Sequence, residues 1–373
     1  MIIKNADVFC EDGVFRSKDI CTEGELISAS SQDDEILDAE GCYAVPGLVD
    51  IHFHGCVGYD FCDGTQEAIE NMAAYEAENG VLAICPATMT LAEDKLLSIA
   101  EAAAAYQGST GADLVGINME GPFINESKKG AQNPAYIHKP DVDMYRRLQK
   151  ASNGLFKLVD IAPETEGAME FIRQVKDEAV ISICHTAADY DTAVKAVENG
   201  ASHVTHLYNA MPGYSHRAPG VIGAACDYGL DVELICDGIH IHPSAVRTTF
   251  KMFGDDHIIL ISDSMMATGM DDGTYQLGGQ DVKVVGNRAT LAEGGAIAGS
   301  ATNLMDCLRT AVRSMGIPLE SAVKCASQNP AKSIGIYEKY GSISEGKYAN
   351  VVILDKELNI KAIVQKGKLI SHN

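Results

Sequence analysis

The sequence has 373 residues, of which 46% are hydrophobic and 22% are charged, enough for one large α/β body plus a small accessory domain. Its formal net charge of −23 argues against nucleic acid and anionic membranes as partners, and no apolar run is long enough to span a bilayer. The first residues lack the basic segment and apolar block of a signal peptide, and eleven cysteines without paired spacing indicate free thiols, so we expect a cytoplasmic protein.

Both ends of the chain are rich in short strand-like segments and show no helical period. Ala6–Phe9 near the start, and Val351–Leu354 and Ala362–Val364 near the end, are apolar segments separated by turn residues. We therefore expect the two termini, residues 1–45 and 342–373, to meet in a small β-sandwich domain. The composition alone would also permit two unrelated flaps.

Residues 46–341 alternate between strand-like and helix-like segments. The strand-like runs number eight, namely Ala44–Phe53, Val81–Cys85, Leu114–Met119, Phe156–Ile161, Val180–Cys184, His203–His206, Val232–Cys236 and Ile258–Ser262. The helix-like segments include Glu67–Asn79, Glu93–Tyr106, Asp141–Lys150, Ala168–Glu178, Tyr190–Asn199, His242–Phe253 and Leu304–Arg313. Eight such units predict an α/β fold of the (β/α)8 TIM-barrel type, although an open doubly wound sheet would share the pattern.

One stretch departs from this alternation. Gly273–Leu291 combines strand-like segments with turns, which predicts a β-hairpin inserted after the eighth strand. Loops at that end of a barrel overhang the active-site face, so the hairpin could serve as a lid. A hairpin without a role in function fits the sequence equally well.

Polar residues follow the strand-like runs in a regular way. They are His52 and His54 after the first run, Glu120 after the third, His185 after the fifth, His206 in the sixth, Asp237 and His240 after the seventh and Asp263 after the eighth. Taken singly, each could be a structural residue with satisfied hydrogen bonds. Because barrel enzymes carry their catalytic groups at the C-terminal ends of the strands, the combined pattern favours an active site.

The residue types in this pattern indicate a metal. Glu120, His185 and His206 form a ligand set suited to zinc or ferrous iron with water in an open position. His52 and His54 are two apart on a strand and point to the same side, where they could chelate as well. Asp263 could take a proton from metal-bound water, although a salt-bridged carboxylate would also fit. His203 lies an odd number of residues from His206 and is interpreted as structural.

The chain resembles the amidohydrolase superfamily and, within it, the deacetylases of N-acetylglucosamine 6-phosphate, over nearly its whole length. The resemblance depends on Pro46-Gly47-Leu48-Val49-Asp50 with His52 and His54, Glu120-Gly121-Pro122-Phe123, Lys129-Gly130-Ala131-Gln132, Thr205-His206-Leu207-Tyr208-Asn209-Ala210-Met211, Arg217 with Pro219-Gly220, Asp237-Gly238 with His240, and Ser262-Asp263. The Thr205–Met211 and Glu120–Phe123 strings are specific, whereas the histidine pair alone marks only the superfamily.

The resemblance implies a barrel with a β-domain built from both termini, in a homodimer. It implies a divalent metal, zinc or iron, bound by Glu120, His185 and His206, with His52 and His54 completing a second site in members that use two ions. Asp263 would be the general base and acid. The implied substrate contacts are Gln132 on the sugar, the Asn209-Ala210 backbone and Arg217 on the 6-phosphate, and His240 on the phosphate or the scissile carbonyl. The resemblance also allows a partner subunit to contribute part of the phosphate pocket.

The implied reaction belongs to amino-sugar catabolism. Metal-bound hydroxide would attack the amide carbonyl of N-acetyl-D-glucosamine 6-phosphate, and the products would be D-glucosamine 6-phosphate and acetate. Three alternatives stay open: the same chemistry on N-acetylgalactosamine 6-phosphate, hydrolysis of another amide by a member of the superfamily, and an inactive barrel that serves as a binding module.

Overall fold

The structure, a computed structural model, describes residues 1–32, 35–108 and 110–372. In this part of the chain, no helix combines the length and hydropathy needed to cross a membrane. The strands are β1 Ile2–Phe9, β2 Phe15–Glu23, β3 Leu26–Ser28, β4 Ile36–Asp38, β5 Tyr43–Pro46, β6 Leu48–Asp50, β7 Gly55–Cys56, β8 Tyr59–Asp60, β9 Val81–Ile84, β10 Asp113–Leu114, β11 Ile117–Met119, β12 Phe156–Ile161, β13 Val180–Ile183, β14 His203–Val204, β15 Asp231–Ile235, β16 Ile258–Ile261, β17 Gly273–Leu277, β18 Gln280–Val285, β19 Arg288–Leu291, β20 Val351–Leu354, β21 Ile360–Gln365 and β22 Lys368–His372.

The helices lie between these strands and pack outside them. They are α1 Gln66–Glu78, α2 Glu93–Ala105, α3 Val142–Ala151, α4 Ala168–Val175, α5 Tyr190–Asn199, α6 Gly220–Tyr228, α7 Pro243–Phe253, α8 Leu304–Arg313, α9 Leu319–Ala326 and α10 Gln328–Ser333. Several begin at a capping side chain that accepts a backbone N–H, as Thr65 does for α1 and Asp189 for α5. The helix-like segments expected from the sequence all correspond to helices.

Parallel strands form a closed (β/α)8 barrel, as the alternating pattern predicts. β11 to β16 pair in sequence order, and β6 pairs with β9. A bridge between Ala87 and Asn118 joins these two groups. The barrel closes on the other side, where the amide of Asp263 donates to the carbonyl of His52 at 2.9 Å and that of His54 to the carbonyl of Ser264 at 2.7 Å. These bonds rule out the open doubly wound sheet.

Both termini contribute to one eight-stranded sheet. Its order is β22-β21-β20-β5-β1-β2-β3, and β4 also pairs with β1. A bridge between Leu26 of β3 and Tyr348, just before β20, makes a further link between the N-terminal and C-terminal segments. Ile3, Val8 and Ile353 lie in a separate apolar core inside this sheet. The terminal sheet is therefore a layer with its own core, and the domain limits stay a prediction.

Two details differ from the sequence-based expectations. The first strand-like run is split, because β5 ends at Pro46 in the terminal sheet and β6 begins at Leu48 in the barrel. Gly47 separates them, and a Cβ atom there would lie 2.7 Å from the Leu82 side chain. The insertion after the eighth strand is a three-stranded antiparallel sheet, β17-β18-β19, rather than a single hairpin.

Candidate metal and active site

The site lies at the C-terminal ends of the barrel strands. His185, His206 and Asp263 each come two residues after the end of a strand, β13, β14 and β16 respectively, with left-handed φ angles of 40°, 29° and 49°. Such angles are strained for residues other than glycine and cluster at functional sites. Here they turn the chain sharply out of each strand, and the three side chains converge on Glu120.

Glu120, His185 and His206 form a close cluster. Glu120 Oε1 lies 3.0 Å from His185 Nε2 and 3.2 Å from His206 Nε2, and the two Nε2 atoms are 3.3 Å apart. All three side chains are nearly buried. Two imidazole nitrogens and a carboxylate oxygen at such separations fit a divalent cation, since each lone pair would point at one central position. The buried thiol of Cys184 lies 3.6 Å from His206 Nε2, within the same group.

Contacts behind these side chains fix their orientation. The Nδ1 atom of His185 lies 2.7 Å from the carbonyl oxygen of Lys128, so that Nδ1 carries the proton and Nε2 offers its lone pair. Gln132 donates to Glu120 Oε2 at 2.6 Å and accepts the amide of Thr90 at 2.6 Å. The side chain of Gln132 is 2% exposed and holds Glu120 in place, and the sugar contact that the resemblance implies stays a prediction.

His52 and His54 lie beside the first cluster. His54 Nε2 is 3.3 Å from Glu120 Oε2 and 3.4 Å from Asp263 Oδ1. His52 Nε2 is 3.7 Å from Glu120 Oε1 and 3.9 Å from Asp263 Oδ1. Among the described residues, this fully buried Nε2 atom has no hydrogen-bond partner. An unpartnered buried nitrogen facing two carboxylates fits a second cation position.

Sequence reasoning missed Glu233, which lies below the histidines in the middle of β15. Its carboxylate contacts His52 Nδ1 at 3.0 Å and His203 Nε2 at 3.2 Å, and accepts the backbone N–H of His206 at 3.1 Å. Burial by itself would raise the pKa of Glu233, but the charges and hydrogen bonds of His52 and His203 lower it to about 2. The available signal was a charged residue inside the otherwise apolar run Val232–Cys236.

Asp263 and His240 face the open side of the site. Burial would raise the pKa of Asp263, but the hydrogen bond to His54 and the neighbouring histidine charges lower it. His240 Nδ1 lies 2.7 Å from Asp237 Oδ2, and Asp237 Oδ1 accepts the amides of Ile239 and His240. This pairing raises the pKa of His240 against the effect of burial. Asp263 can thus accept a proton, and His240 can donate through Nε2.

A cavity of about 390 Å³ opens above the cluster. Its lining includes His54, Glu120, Gln132, His185, His206, Asn209, Ala210, His240 and Asp263. Leu277 and Ile297 complete a wall contributed by the insertion and the segment after it, and Gln280 bonds the carbonyl of Ala131 across the cavity rim. The insertion therefore forms part of the pocket. Its predicted movement as a lid stays a prediction.

The predicted phosphate contacts are only partly brought together. Asn209 and Ala210 line the cavity, but the amide of Asn209 is bonded to the carbonyl of His206 at 2.9 Å. Among the described residues that line the cavity of this subunit, Arg217 is absent. It is exposed on a loop between His206 and α6, in a tight turn that the bridge between Ser215 and Ala218 closes.

Together, the closed barrel and the Glu-His-His cluster at its C-terminal face define a (β/α)8 protein whose site could hold a divalent metal, as in barrel hydrolases. The family model for the amidohydrolase family matches residues 43–370. The chain belongs to the amidohydrolase family, in agreement with the resemblance in its motifs.

Among proteins with known names, the chain is similar over nearly its full length to deacetylases of amino-sugar phosphates. The N-acetylglucosamine-6-phosphate deacetylase of Bacillus subtilis (strain 168) is 35% identical, over 99% of this chain and 96% of the relative. The N-acetylgalactosamine-6-phosphate deacetylase of Escherichia coli O157:H7 is 33% identical, over 92% of this chain and 90% of the relative. A solved mutant of the Mycobacterium smegmatis N-acetyl-D-glucosamine-6-phosphate deacetylase, in complex with N-acetyl-D-glucosamine-6-phosphate, is 30% identical with a TM-score of 0.91, covering 99% of this chain and 98% of that chain.

Proposed function

We propose that this chain hydrolyses N-acetyl-D-glucosamine 6-phosphate to D-glucosamine 6-phosphate and acetate, as a metal-dependent deacetylase of amino-sugar catabolism. The observation that carries the proposal is the convergence of Glu120, His185, His206 and Asp263 in one cavity. Full-length similarity to deacetylases of amino-sugar phosphates supports the substrate class. All eleven cysteines are free, which supports a cytoplasmic location.

Different side chains of the site have different roles in amide hydrolysis. Asp263, an ionised carboxylate at the cavity floor, takes the proton of the attacking water and returns it to the leaving nitrogen. His240, held by Asp237 and lining the same cavity, donates a hydrogen bond to a substrate oxygen. The walls formed by Leu277 and Ile297 limit the access of bulk water.

The proposed cofactor is zinc or iron, held by Glu120, His185 and His206, with His52 and His54 as the further ligands if a second ion is bound. When bound, such an ion supplies Lewis acidity, which lowers the pKa of a coordinated water to about 7 and polarises the amide carbonyl. The carbonyl oxygen of Lys128 orients His185 and the carboxylate of Glu233 orients His52, each through the Nδ1 atom of the ring.

The test is acetate release from purified protein with N-acetylglucosamine 6-phosphate, alongside the metal content of the same sample. We expect Asp263→Asn to lower kcat by about 10²–10⁴-fold, because the proton acceptor is lost while the shape is kept. The variant should retain the metal bound by Glu120, His185 and His206. Wild-type activity in Asp263→Asn would contradict the mechanism, and an inactive wild type that added metal cannot restore would contradict the function.

A second candidate substrate is N-acetylgalactosamine 6-phosphate, which the similarity to the Escherichia coli relative favours. The two sugars differ at one hydroxyl group, and the chemistry of the metal site would be the same. Comparing kcat/KM for both sugars in the same preparation decides between them, since kcat/KM measures discrimination directly.

We also propose a homodimer in which Arg217 reaches the phosphate in the site of the other subunit. The exposed position of Arg217, away from its own cavity, supports this arrangement, and a guanidinium is well suited to phosphate. Mixing subunits that carry Arg217→Ala with subunits that carry Asp263→Asn should restore about a quarter of wild-type activity, because half of the random dimers hold one complete site. No recovery on mixing would place Arg217 outside the partner's site.

A further inference from the structure

A buried carboxylate connects the two candidate metal positions from below. Glu233 lies in the barrel interior with no exposed surface. Its Oε2 atom is 3.0 Å from His52 Nδ1 and also accepts the backbone N–H of His206 at 3.1 Å. One oxygen atom thus contacts a histidine of the second position and the backbone of a ligand of the first.

The hydrogen-bond roles in this contact are fixed by chemistry. A backbone N–H can only donate, so Oε2 is an acceptor toward His206. A carboxylate has no proton to offer, and His52 Nδ1 must therefore carry the proton of their shared bond. In a neutral imidazole the other nitrogen then holds a lone pair. For His52 that nitrogen is the fully buried Nε2, which lacks a hydrogen-bond partner among the described residues.

The lone pair of His52 Nε2 faces groups that cannot donate to it. Glu120 Oε1 and Asp263 Oδ1 lie 3.7 Å and 3.9 Å away. Glu120, Asp263 and Glu233 bring three carboxylates into one buried cluster, and a single divalent cation offsets two of those charges. The third charge favours a second cation at the position that His52 faces.

Glu233 is itself held in place from the far end of the barrel. Its Oε1 atom lies 3.2 Å from His203 Nε2, and His203 Nδ1 lies 3.1 Å from the hydroxyl of Ser333 in α10. These contacts form a continuous hydrogen-bonded chain from Ser333 through His203 and Glu233 to His52. All the polar atoms that Glu233 offers are used, so its carboxylate has one orientation.

We propose that Glu233 is the positioning residue for a second metal ion, since it holds His52 in the Nδ1-protonated form and leaves Nε2 free to coordinate. The inference rests on the proposed metal-dependent function. Glu233 touches no substrate and coordinates no ion, and its effect passes entirely through His52.

The test measures Zn²⁺ binding to the chelator-stripped full chain by equilibrium dialysis, with metal counted by mass spectrometry. We expect two ions per wild-type chain. Glu233→Met removes the acceptor, and the affinity for the second ion should fall about 10–100-fold while the first ion still binds. Glu233→Gln keeps a carbonyl oxygen for His52 and should retain more of the second-ion affinity than Glu233→Met.

Asp160→Asn is the matched control. Asp160 is another fully buried carboxylate in the barrel interior, on β12, and its Oδ1 atom accepts the hydroxyl of Thr205 rather than the proton of His52 Nδ1. This variant should keep both ions. Equal loss of the second ion in Asp160→Asn would overturn the proposal, as would one ion per wild-type chain at saturating Zn²⁺ or unchanged binding in Glu233→Met.

A second measurement needs no variant of Glu233 to fold. In Zn²⁺-loaded wild-type protein with ¹⁵N-labelled histidines, the nitrogen signals of His52, assigned with His52→Gln, should report a proton on Nδ1 and none on Nε2. A proton on Nε2 would overturn the proposal. Failure of the deacetylase function would show separately, as absence of acetate release from chains whose metal count is normal.

Discussion

Glu233 in the barrel interior and Glu76 in the layer between α1 and the barrel are both fully buried, but their surroundings differ. Three N–H groups surround Glu233, and its pKa falls to about 2. Neither carboxylate oxygen of Glu76 has a hydrogen-bond partner among the described residues, and burial raises its pKa well above the usual value. Partners, and not depth, decide whether a buried carboxyl group is charged.

Asp160 lies between these extremes. Its Oδ1 accepts the hydroxyl of Thr205 at 2.9 Å, and its Oδ2 has no hydrogen-bond partner within the described part of the chain. Burial raises its pKa to about 7. The pKa values of the three buried carboxyl groups thus rise from Glu233 through Asp160 to Glu76. Glu233, next to the site, is charged, and Glu76, between α1 and the barrel, is neutral.

The largest effect on stability is expected for Glu233→Met. Removing the carboxylate leaves His52, His203 and the amide of His206 buried without their acceptor, so the free energy of unfolding should fall by about 3–5 kcal/mol. Urea unfolding with a chelator present measures this apart from metal binding. Because the folded pKa of Glu233 is lowered to about 2, its stabilisation in the wild type should be complete above pH 4.5 and lost as the pH falls toward 2. Equal stability of variant and wild type at pH 7 would contradict the contrast drawn between Glu233 and Glu76.

Glu76→Met should act in the opposite direction. The folded protein keeps a proton on Glu76 at pH values where the unfolded chain has lost it, so wild-type stability falls as the pH rises above 4.5. Methionine has no group to ionise and fills a similar volume, and we expect a gain of about 1–3 kcal/mol at pH 8. The gain should be smaller at pH 5. Thermal unfolding of both proteins at the two pH values provides the measurement, and a gain independent of pH would contradict this account.

Asp160→Asn should change stability least, within about 1 kcal/mol at pH 6, because the protonated acid and the amide are similar in shape. Since the folded pKa of about 7 lies above the usual 3.8, wild-type stability should decline from about pH 4 until the pH passes 7. The variant should lack this slope. Unfolding curves at pH 6 and pH 8 would show it, and an unchanged slope would remove Asp160 from the series.

The ligand positions follow from the sequence because parallel strands bring their C-terminal ends to one face. His185 and Asp263 directly follow a strand-like run and His206 is the last residue of one, so their convergence depends only on the closed barrel. Glu120 belongs to the same pattern after β11. The strands and helices are predictable for a related reason, since the apolar periods of strands and helices differ.

The side-chain partners do not follow from the sequence. Gln132 lies in a loop, and whether it meets the sugar or Glu120 depends on a path that no periodic pattern sets. Arg217 also lies in a loop, and its place outside the cavity lining depends on the turn at Ser215 and Ala218, which no periodic pattern predicts. Glu233 was hidden within an apolar run, because the partners that make its burial tolerable come from distant strands.

The pairing of the two chain ends in one sheet has a consequence for synthesis on the ribosome. The pairing of β5 with β20 cannot form until β20 has been synthesised, because Pro46 pairs with Val351, about three hundred residues later in the chain. Until then the apolar edge of β5 lacks that neighbour, and an open edge of this kind invites pairing with other nascent chains. At the usual rate of about 5–20 residues per second, the interval lasts roughly 15–60 s, and shielding by chaperones would matter most in that time.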